Sequence, residues 1–155
     1  MGHENIFEAE MLWDEADPPG FRAAVADMGK ALGAEALSVR VFEVPPGESL
    51  CPYHYEYEEE WLIVLDGSVV LRTPAGEETI ERGTITVFPP GPAGAHKTTN
   101  RGERTARLLM FSSAREPAVA VYPDSDKIAI FVENEADEVI ARRAEAKLGY
   151  YDGEA

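Results

Sequence analysis

The chain has little of what marks a disulfide-bonded, membrane-spanning or nucleic-acid-binding protein. It contains one cysteine, Cys51, among 155 residues, so no disulfide can form within it. Basic residues number 14 against 29 acidic ones, and the net charge of −15 would repel a nucleic acid or an anionic membrane surface. No apolar run approaches the ~20 residues that span a bilayer, and the first residues do not resemble a secretory signal. We therefore expect a cytoplasmic protein that binds neither nucleic acids nor membranes.

Short strand-like segments occupy most of the chain. Hydrophobic residues make up 45% of it, which suits one domain with one core. From Leu37 onward, runs of β-branched and apolar residues alternate with turn signals such as Asp66-Gly67 and Arg82-Gly83. The runs cover 37–44, 61–66, 68–73, 77–81, 85–88, 96–100, 104–112, 118–122 and 127–132. This pattern is typical of a β-sandwich or β-barrel.

The two ends of the chain differ from this pattern. Residues 1–19 are acidic and predict an arm. Apolar residues with helical spacing then predict a helix that Gly33 ends; they are Phe21, Val25, Met28 and Leu32. Residues 135–148 are rich in Ala and Glu, with basic residues near their end, and predict a closing helix. We therefore predict one domain, made of an arm and helix over 1–36, a β-barrel over 37–131, and a helix and tail over 132–155.

Two of the three histidines lie beside strand-like runs. His54 is followed at even spacing by Glu56 and Glu60, so the three share one strand face if the segment stays extended. A turn between Glu56 and Glu60 would remove that argument. Together with His96 they offer imidazole and carboxylate groups, which suit Mn, Fe, Zn or another divalent ion. The spacing alone also fits a solvated acidic strand with two hydrogen-bonded histidines.

Two spaced motifs resemble those of the cupin superfamily, and the wider sequence is similar to that of small bacterial single-domain cupins. The first motif comprises Gly47, His54-Tyr55-Glu56, Glu60 and Gly67. The second comprises Gly83, Pro89-Pro90-Gly91, His96 and Asn100. The resemblance implies an all-β fold, a double-stranded β-helix or jelly-roll barrel with short N- and C-terminal helices. It also implies a divalent metal ion (Zn, Mn, Fe or Ni) bound by His54, Glu56, Glu60 and His96.

The chain departs from the cupin pattern at two places. Glu56 stands where that pattern has a second histidine, and the loop before His96 is two residues longer. Three interpretations of Glu56 stay open. It is a fourth ligand that makes the site neutral. It is a free catalytic base beside two histidines and Glu60, a donor set found in many non-haem iron sites. Or the site no longer holds a metal ion.

The resemblance implies a small molecule bound in the barrel. The protein is then a metal-dependent isomerase or oxygenase, or else a metal-free cupin that binds a ligand without catalysis. Small barrels of this kind have open sheet edges, and the N-terminal arm could cover the edge of a neighbour. We therefore also predict a homodimer.

Overall fold

Fourteen regular elements make up the computed structural model, which describes residues 2–154. The first are β1 (Leu12–Trp13), β2 (Ala24–Asp27), helix α1 (Met28–Leu32), β3 (Leu37–Val44), β4 (Tyr55–Glu56), β5 (Glu60–Asp66) and β6 (Ser68–Thr73). The others are β7 (Gly76–Glu81), β8 (Ile85–Phe88), β9 (Lys97–Thr99), β10 (Ala106–Ser113), β11 (Ala118–Tyr122), β12 (Lys127–Phe131) and β13 (Val139–Arg142). Each of the nine predicted runs forms a strand, with small shifts at the ends. No helix in this part of the chain is long and apolar enough to cross a membrane.

The strands form three antiparallel sheets. One has six strands in the order β1-β2-β3-β10-β5-β8, the second has the order β13-β12-β11-β4, and the third β7-β6-β9. One face of the six-stranded sheet packs on the other strands around the main apolar core, formed by Val44, Leu62, Val64, Val69, Leu71, Ile80, Phe88, Ala106 and Leu108. The arrangement is the predicted jelly-roll β-barrel.

Residues of the two sequence motifs build the turns of this barrel. Gly67 and Gly83 have φ angles of 76° and 90°, so both occupy the positive-φ region that glycine accepts without strain. Asn100 is completely buried. Its side chain donates to the carbonyls of Val44 (2.7 Å) and Arg104 (2.8 Å) and accepts from the Gly102 amide (2.9 Å). Asn100 therefore has a structural role, because its buried side chain bonds three backbone groups, among them the carbonyl of the completely buried Val44.

The helix predicted over residues 21–32 is wrong in its first half. Residues 24–27 form β2, in which every second side chain is buried. The two buried side chains, Ala24 and Ala26, are small. The edge of β3 supplies backbone partners to this segment, and such pairing outweighs a weak helical pattern. The helix α1 begins only after Asp27, whose carboxylate accepts a hydrogen bond from the Lys30 amide (2.8 Å). It ends, as predicted, at Gly33, which has φ 70°.

The C-terminal helix predicted over residues 135–148 is also wrong. Residues 139–142 form β13, which pairs with the free edge of β12. Val139 and Ile140 are β-branched and adjacent, so they favour a strand locally, while the surrounding Ala and Glu residues favour a helix. The edge of β12 decides between these tendencies because it offers hydrogen-bond partners to an extended segment. The structure is therefore all-β apart from α1 and three short 3₁₀ turns in the described residues.

Candidate metal centre

Main-chain pairing brings the two motif histidines together. The His54 amide donates to the His96 carbonyl (3.0 Å), and the His96 amide donates back to the His54 carbonyl (2.8 Å). This antiparallel bridge holds the residues directly opposite each other, so their side chains project on the same side. The imidazole centroids lie 4.7 Å apart. The bridge thus places both rings in one part of the barrel interior.

Backbone carbonyls set the orientation of both imidazole rings. His54 Nδ1 lies 3.0 Å from the Pro52 carbonyl oxygen, and His96 Nδ1 lies 2.9 Å from the Gly94 carbonyl oxygen. A carbonyl oxygen only accepts hydrogen bonds, so each Nδ1 carries the proton. The lone pair of each neutral ring is therefore on Nε2. Metal-binding histidines are commonly oriented in this way by a hydrogen bond from the other ring nitrogen.

The carboxylate of Glu60 lies between the two Nε2 atoms. One oxygen, Oε2, is 3.8 Å from His54 Nε2 and 3.7 Å from His96 Nε2. His54, Glu60 and His96 each offer a ligand atom within 4.8 Å of the others. Glu60 opens β5, whereas His54 precedes β4, and residues 57–59 turn between these strands. The convergence therefore comes from the barrel and not from the shared strand face considered in the sequence.

Burial keeps the two histidines of this group in the neutral form that a metal site needs, and it opposes ionisation of Glu60. His96 Nε2 is buried and has no hydrogen-bond partner within residues 2–154. Burial, with a smaller effect from His54, lowers the pKa of His96 to about 3, and burial also lowers the pKa of His54. Burial and the neighbouring Glu56 carboxylate raise the pKa of Glu60 to about 8. Both imidazoles are therefore neutral at pH 7, and an opposite charge near Glu60 would favour its ionisation.

Glu56 lies beside this group without belonging to it. Its Oε1 is 3.8 Å from His54 Nε2, but Glu56 is not in the set whose ligand atoms lie within 4.8 Å of one another. Burial raises the pKa of Glu56, while Arg40 lowers it and Glu58 raises it further. The predictions that Glu56 binds the metal ion or acts as a base both stay predictions.

Three side chains that the sequence did not single out for the site surround the histidines. The Phe88 ring stacks on His96, with centroids 3.6 Å apart and planes 7° apart. Tyr122 stacks on His54 at 5.8 Å. Cys51 Sγ lies 3.5 Å from His54 Nδ1, and burial raises the pKa of this thiol to about 12. Little of the thiol is therefore ionised at neutral pH. None of the three belongs to the two sequence motifs, so the motifs did not predict these contacts.

A pocket of about 700 Å³ borders two of the three residues, His54 and Glu60. Glu56, Ser112 and Tyr122 also line it. The size suits a small organic molecule. Access from this pocket to the imidazole and carboxylate groups would let a bound ion and a bound molecule meet.

The donor set fits a divalent metal ion. Two neutral imidazoles and a carboxylate are ligands that Zn, Mn, Fe and Ni accept. Ligand atoms around an ion with bonds of ~2.1 Å are about 3.0–3.4 Å apart. The Nε2–Oε2 distances of 3.7 and 3.8 Å need only a small contraction to reach this range. The unpartnered Nε2 of His96 would gain the partner that a buried polar atom normally has.

Comparisons with known sequences relate the chain to one superfamily. Residues 40–112 match the family model described as "Cupin domain". Among curated proteins, "Tetracenomycin polyketide synthase protein TcmJ" from Streptomyces glaucescens is 28% identical over 87 residues. That match covers 56% of this chain and 57% of the relative, so the chain spans little more than half of that protein's length.

Solved structures give a similar result over more of the chain. A provisionally assigned sugar phosphate isomerase from Acidithiobacillus ferrooxidans is 25% identical with a TM-score of 0.76, over 84% of this chain and 83% of that one. A cupin-superfamily sugar phosphate isomerase from Silicibacter pomeroyi is 22% identical with a TM-score of 0.80, over 96% and 98%. The polyketide cyclase RemF from Streptomyces resistomycificus is 23% identical with a TM-score of 0.63, over 76% and 83%. The last two show the fold alone.

Proposed function

This chain is a small cupin-domain protein, and from that premise we propose that it binds a divalent metal ion and acts on a small molecule in the pocket. His54, Glu60 and His96 would be the ligands. One observation carries this proposal: the two Nε2 atoms face the same Glu60 oxygen, and the His96 atom is buried without a hydrogen-bond partner in the described residues. Leaving such an atom unsatisfied is costly unless something binds it.

Isomerisation by proton transfer is the reaction that the surrounding residues support best. A divalent ion would polarise a carbonyl or hydroxyl oxygen of the bound molecule and so acidify the neighbouring hydrogens. Glu56 would accept a proton from one position of that molecule and return it to another. Burial raises the pKa of Glu56, which moves this carboxyl toward the range of a useful general base. Tyr122 would close one wall of the pocket, since its ring lies against His54.

Oxygenation is a second candidate, and the donor set itself supports it. Two histidines and one carboxylate that leave other positions open are typical of non-haem Fe(II) oxygenases. The identity of the ion separates the two candidates. An oxygenase requires iron or a comparable redox metal, whereas proton transfer also works with Zn or Mn.

A metal-free cupin that only binds a ligand is the remaining alternative. The pKa of about 8 makes Glu60 mostly protonated at pH 7 without metal, so it could donate a hydrogen bond to an imidazole. The site would then be satisfied without an ion. The pocket could still hold a small ligand in this case.

Metal content decides between these proposals. Protein purified without chelator would be analysed for Zn, Mn, Fe and Ni, and then reloaded with each ion separately. We expect about one ion per chain in the wild-type protein and a loss of bound ion in His54→Ala and His96→Ala. His3→Ala is the matched control, because His3 is exposed in the N-terminal segment and should leave the metal content unchanged. Wild-type protein that neither contains nor takes up an ion would support the metal-free alternative.

We also propose a homodimer, and the outer face of the six-stranded sheet supports it. Residues 6–11 of the same chain cover part of this face through Ile6, Ala9 and Met11. The adjacent part is a band without charge across β3, β10, β5 and β8, formed by Val39, Phe111, Trp61, Val87, Ile63 and Ile85. Ile85 is 56% exposed and Val87 42% exposed. A second copy could cover this apolar band, and burial of the exposed apolar side chains would favour association against the repulsion between two chains of net charge −15.

Sedimentation velocity at micromolar concentration tests the dimer. Val87→Lys should shift a wild-type dimer toward the monomer, because it places a charge in the apolar band. Ile140→Lys is the control, because Ile140 is an exposed residue of β13 in the four-stranded sheet and not in the apolar band. This variant should stay dimeric. A monomeric wild-type protein would contradict the proposal.

The cytoplasmic location, predicted from the single cysteine, is also a proposal, and cell fractionation tests it.

A further inference from the structure

Three arginines outside the pocket, Arg72, Arg101 and Arg107, have carboxylate partners at short distance. Arg72 makes a bidentate pair with Asp124 (2.6 and 2.9 Å), and Arg101 makes one with Glu77 (2.7 and 2.9 Å). Arg107 donates to Glu43 at 2.6 Å and to the Ile6 carbonyl at 2.7 Å. These guanidinium groups are therefore already occupied by the protein itself.

Arg40 is different, because its ion pair leaves its terminal nitrogens free. Its Nε lies 3.5 Å from Asp27 Oδ2, which is longer than a charge-assisted hydrogen bond. Asp27 is itself held in place, since its other oxygen accepts the Lys30 amide at the start of α1 (2.8 Å). Within residues 2–154, no hydrogen bond or ion pair occupies the two Nη atoms of Arg40. A fork of four N–H donors therefore remains available.

The position of Arg40 in the six-stranded sheet places it one strand row from Glu60, on the same face. Along the six-stranded sheet, Ser38, Ser112 and Glu60 form one cross-strand row, and Arg40, Met110 and Leu62 form the next row on the same face. Neighbouring rows on one face are about 7 Å apart along the strands. Arg40 and Glu60 both line the 700 Å³ pocket, and both also line a smaller cavity of about 70 Å³. The free donors and the proposed metal ligands thus border the same space.

We propose that Arg40 binds an anionic oxygen group of the molecule that this pocket accepts, either a carboxylate or a phosphate. A planar guanidinium matches both groups with paired hydrogen bonds. The anionic group would lie about one strand row from the metal-binding end of the pocket, so the reacting oxygen and the anion are at opposite ends of one small molecule. This inference rests on the proposed function, because it assigns the second end of the same pocket.

Two other cations line the pocket, where acidic residues outnumber them. Lys30 and Arg115 are exposed and line the pocket. The acidic side chain of Glu56 lies 3.8 Å from His54 Nε2, and Glu58, which also lines the pocket, accepts a hydrogen bond from the Ser113 hydroxyl. Acidic residues also line the rim, among them Glu116 and Glu138. Specific binding of an anion therefore depends on the free fork of Arg40, since the overall charge of the pocket does not attract one.

Three probes with the same carbon skeleton test the assignment. D-glucose 6-phosphate carries a phosphate at C6, D-glucuronate carries a carboxylate at the same carbon, and D-glucose carries neither. Binding of each would be measured by calorimetry and by thermal shift, on metal-loaded and metal-free protein. We expect wild-type protein to bind at least one anionic probe ten or more times more tightly than glucose. The preferred anionic probe distinguishes phosphate from carboxylate.

Variants connect this preference to Arg40. Arg40→Gln should abolish the preference for the anionic probe, and Arg40→Lys should retain part of it, because lysine keeps the charge but not the fork. Arg72→Gln is the matched control outside the pocket and should bind as wild type. The assignment would be overturned if neither anionic probe bound more tightly than glucose. It would also be overturned if Arg40→Gln kept the wild-type preference for the anionic probe. A preference that depends on Arg40 in protein unable to bind metal would keep this assignment and contradict the proposed metal site.

Discussion

Uptake of a metal ion should release protons. The raised pKa of Glu60 determines how many protons are released per ion at a given pH. This carboxyl group has a pKa of about 8 without metal, against an ordinary 4.5. At pH 6.5 the Glu60 carboxyl is almost fully protonated, while at pH 8.5 it is protonated in about a quarter of the molecules. A bound ion requires the ionised carboxylate, so binding must remove that proton. We expect about one proton released per ion at pH 6.5 and about a quarter of a proton at pH 8.5.

The histidines should add little to this count. Burial lowers the pKa of His96 to about 3, so it is already neutral at both pH values. The pKa of His54 is also lowered, so His54 contributes less than an ordinary histidine. Apparent affinity should therefore rise about tenfold per pH unit below pH 7 and level off above pH 8, since one proton competes with one ion.

Calorimetry measures the proton count directly. Zn²⁺ would be titrated at each pH in buffers of different ionisation enthalpy, and the slope of observed enthalpy against buffer enthalpy gives the protons released. Glu60→Gln is the control, because it has no carboxyl proton to lose; its weaker binding should lack the pH dependence. Tight Zn²⁺ binding with no proton release at pH 6.5, or with equal release at both pH values, would refute this reasoning.

Four further results are expected. His96→Ala should lower Zn²⁺ affinity at least ~100-fold by calorimetry, while an unchanged circular dichroism spectrum reports an intact fold. Glu56→Gln should weaken binding if Glu56 is a ligand, or retain the ion and lose turnover if it is a base; unchanged binding and activity would exclude both roles. Gly94→Ala should fail to fold stably in a denaturation assay, because its Cβ would lie 1.9 Å from the Pro89 carbonyl oxygen. Asn100→Ala should lower the free energy of unfolding by about 1–3 kcal/mol in urea denaturation, since the buried Val44 carbonyl loses its partner and two more accessible backbone groups lose theirs.

Local pattern was sufficient to predict the strands of the barrel. Alternating apolar residues between turn signals correspond to strands with one buried face, as in β10, where Ala106 and Leu108 are completely buried. The terminal segments were mispredicted because their structure depends on free edges elsewhere: β2 pairs with β3, and β13 pairs with β12. Long-range pairing of this kind is invisible to a local pattern. The division into arm, barrel and tail stays a prediction.

Some features of the candidate site could likewise be predicted from the sequence, and others could not. His54, Glu60 and His96 could be selected by the resemblance of their motifs, and the structure brings their ligand atoms together. The contacts of Arg40 and Tyr122 could not be predicted, because they depend on which face of a sheet lines the pocket. Glu56 could be recognised in the sequence as a departure from the cupin pattern. The sequence could not predict that Glu56 lies outside the group formed by His54, Glu60 and His96.

The carbonyl groups of Pro52 and Gly94 hold the two imidazole rings in place without any help from an ion. A site that is rigid before loading behaves as a receptor, and its filling and emptying do not require the chain to refold. Chelators should therefore strip the ion from native protein reversibly. Occupancy would follow the supply of free ions in the surroundings, so the same folded chain could carry different metals at different times.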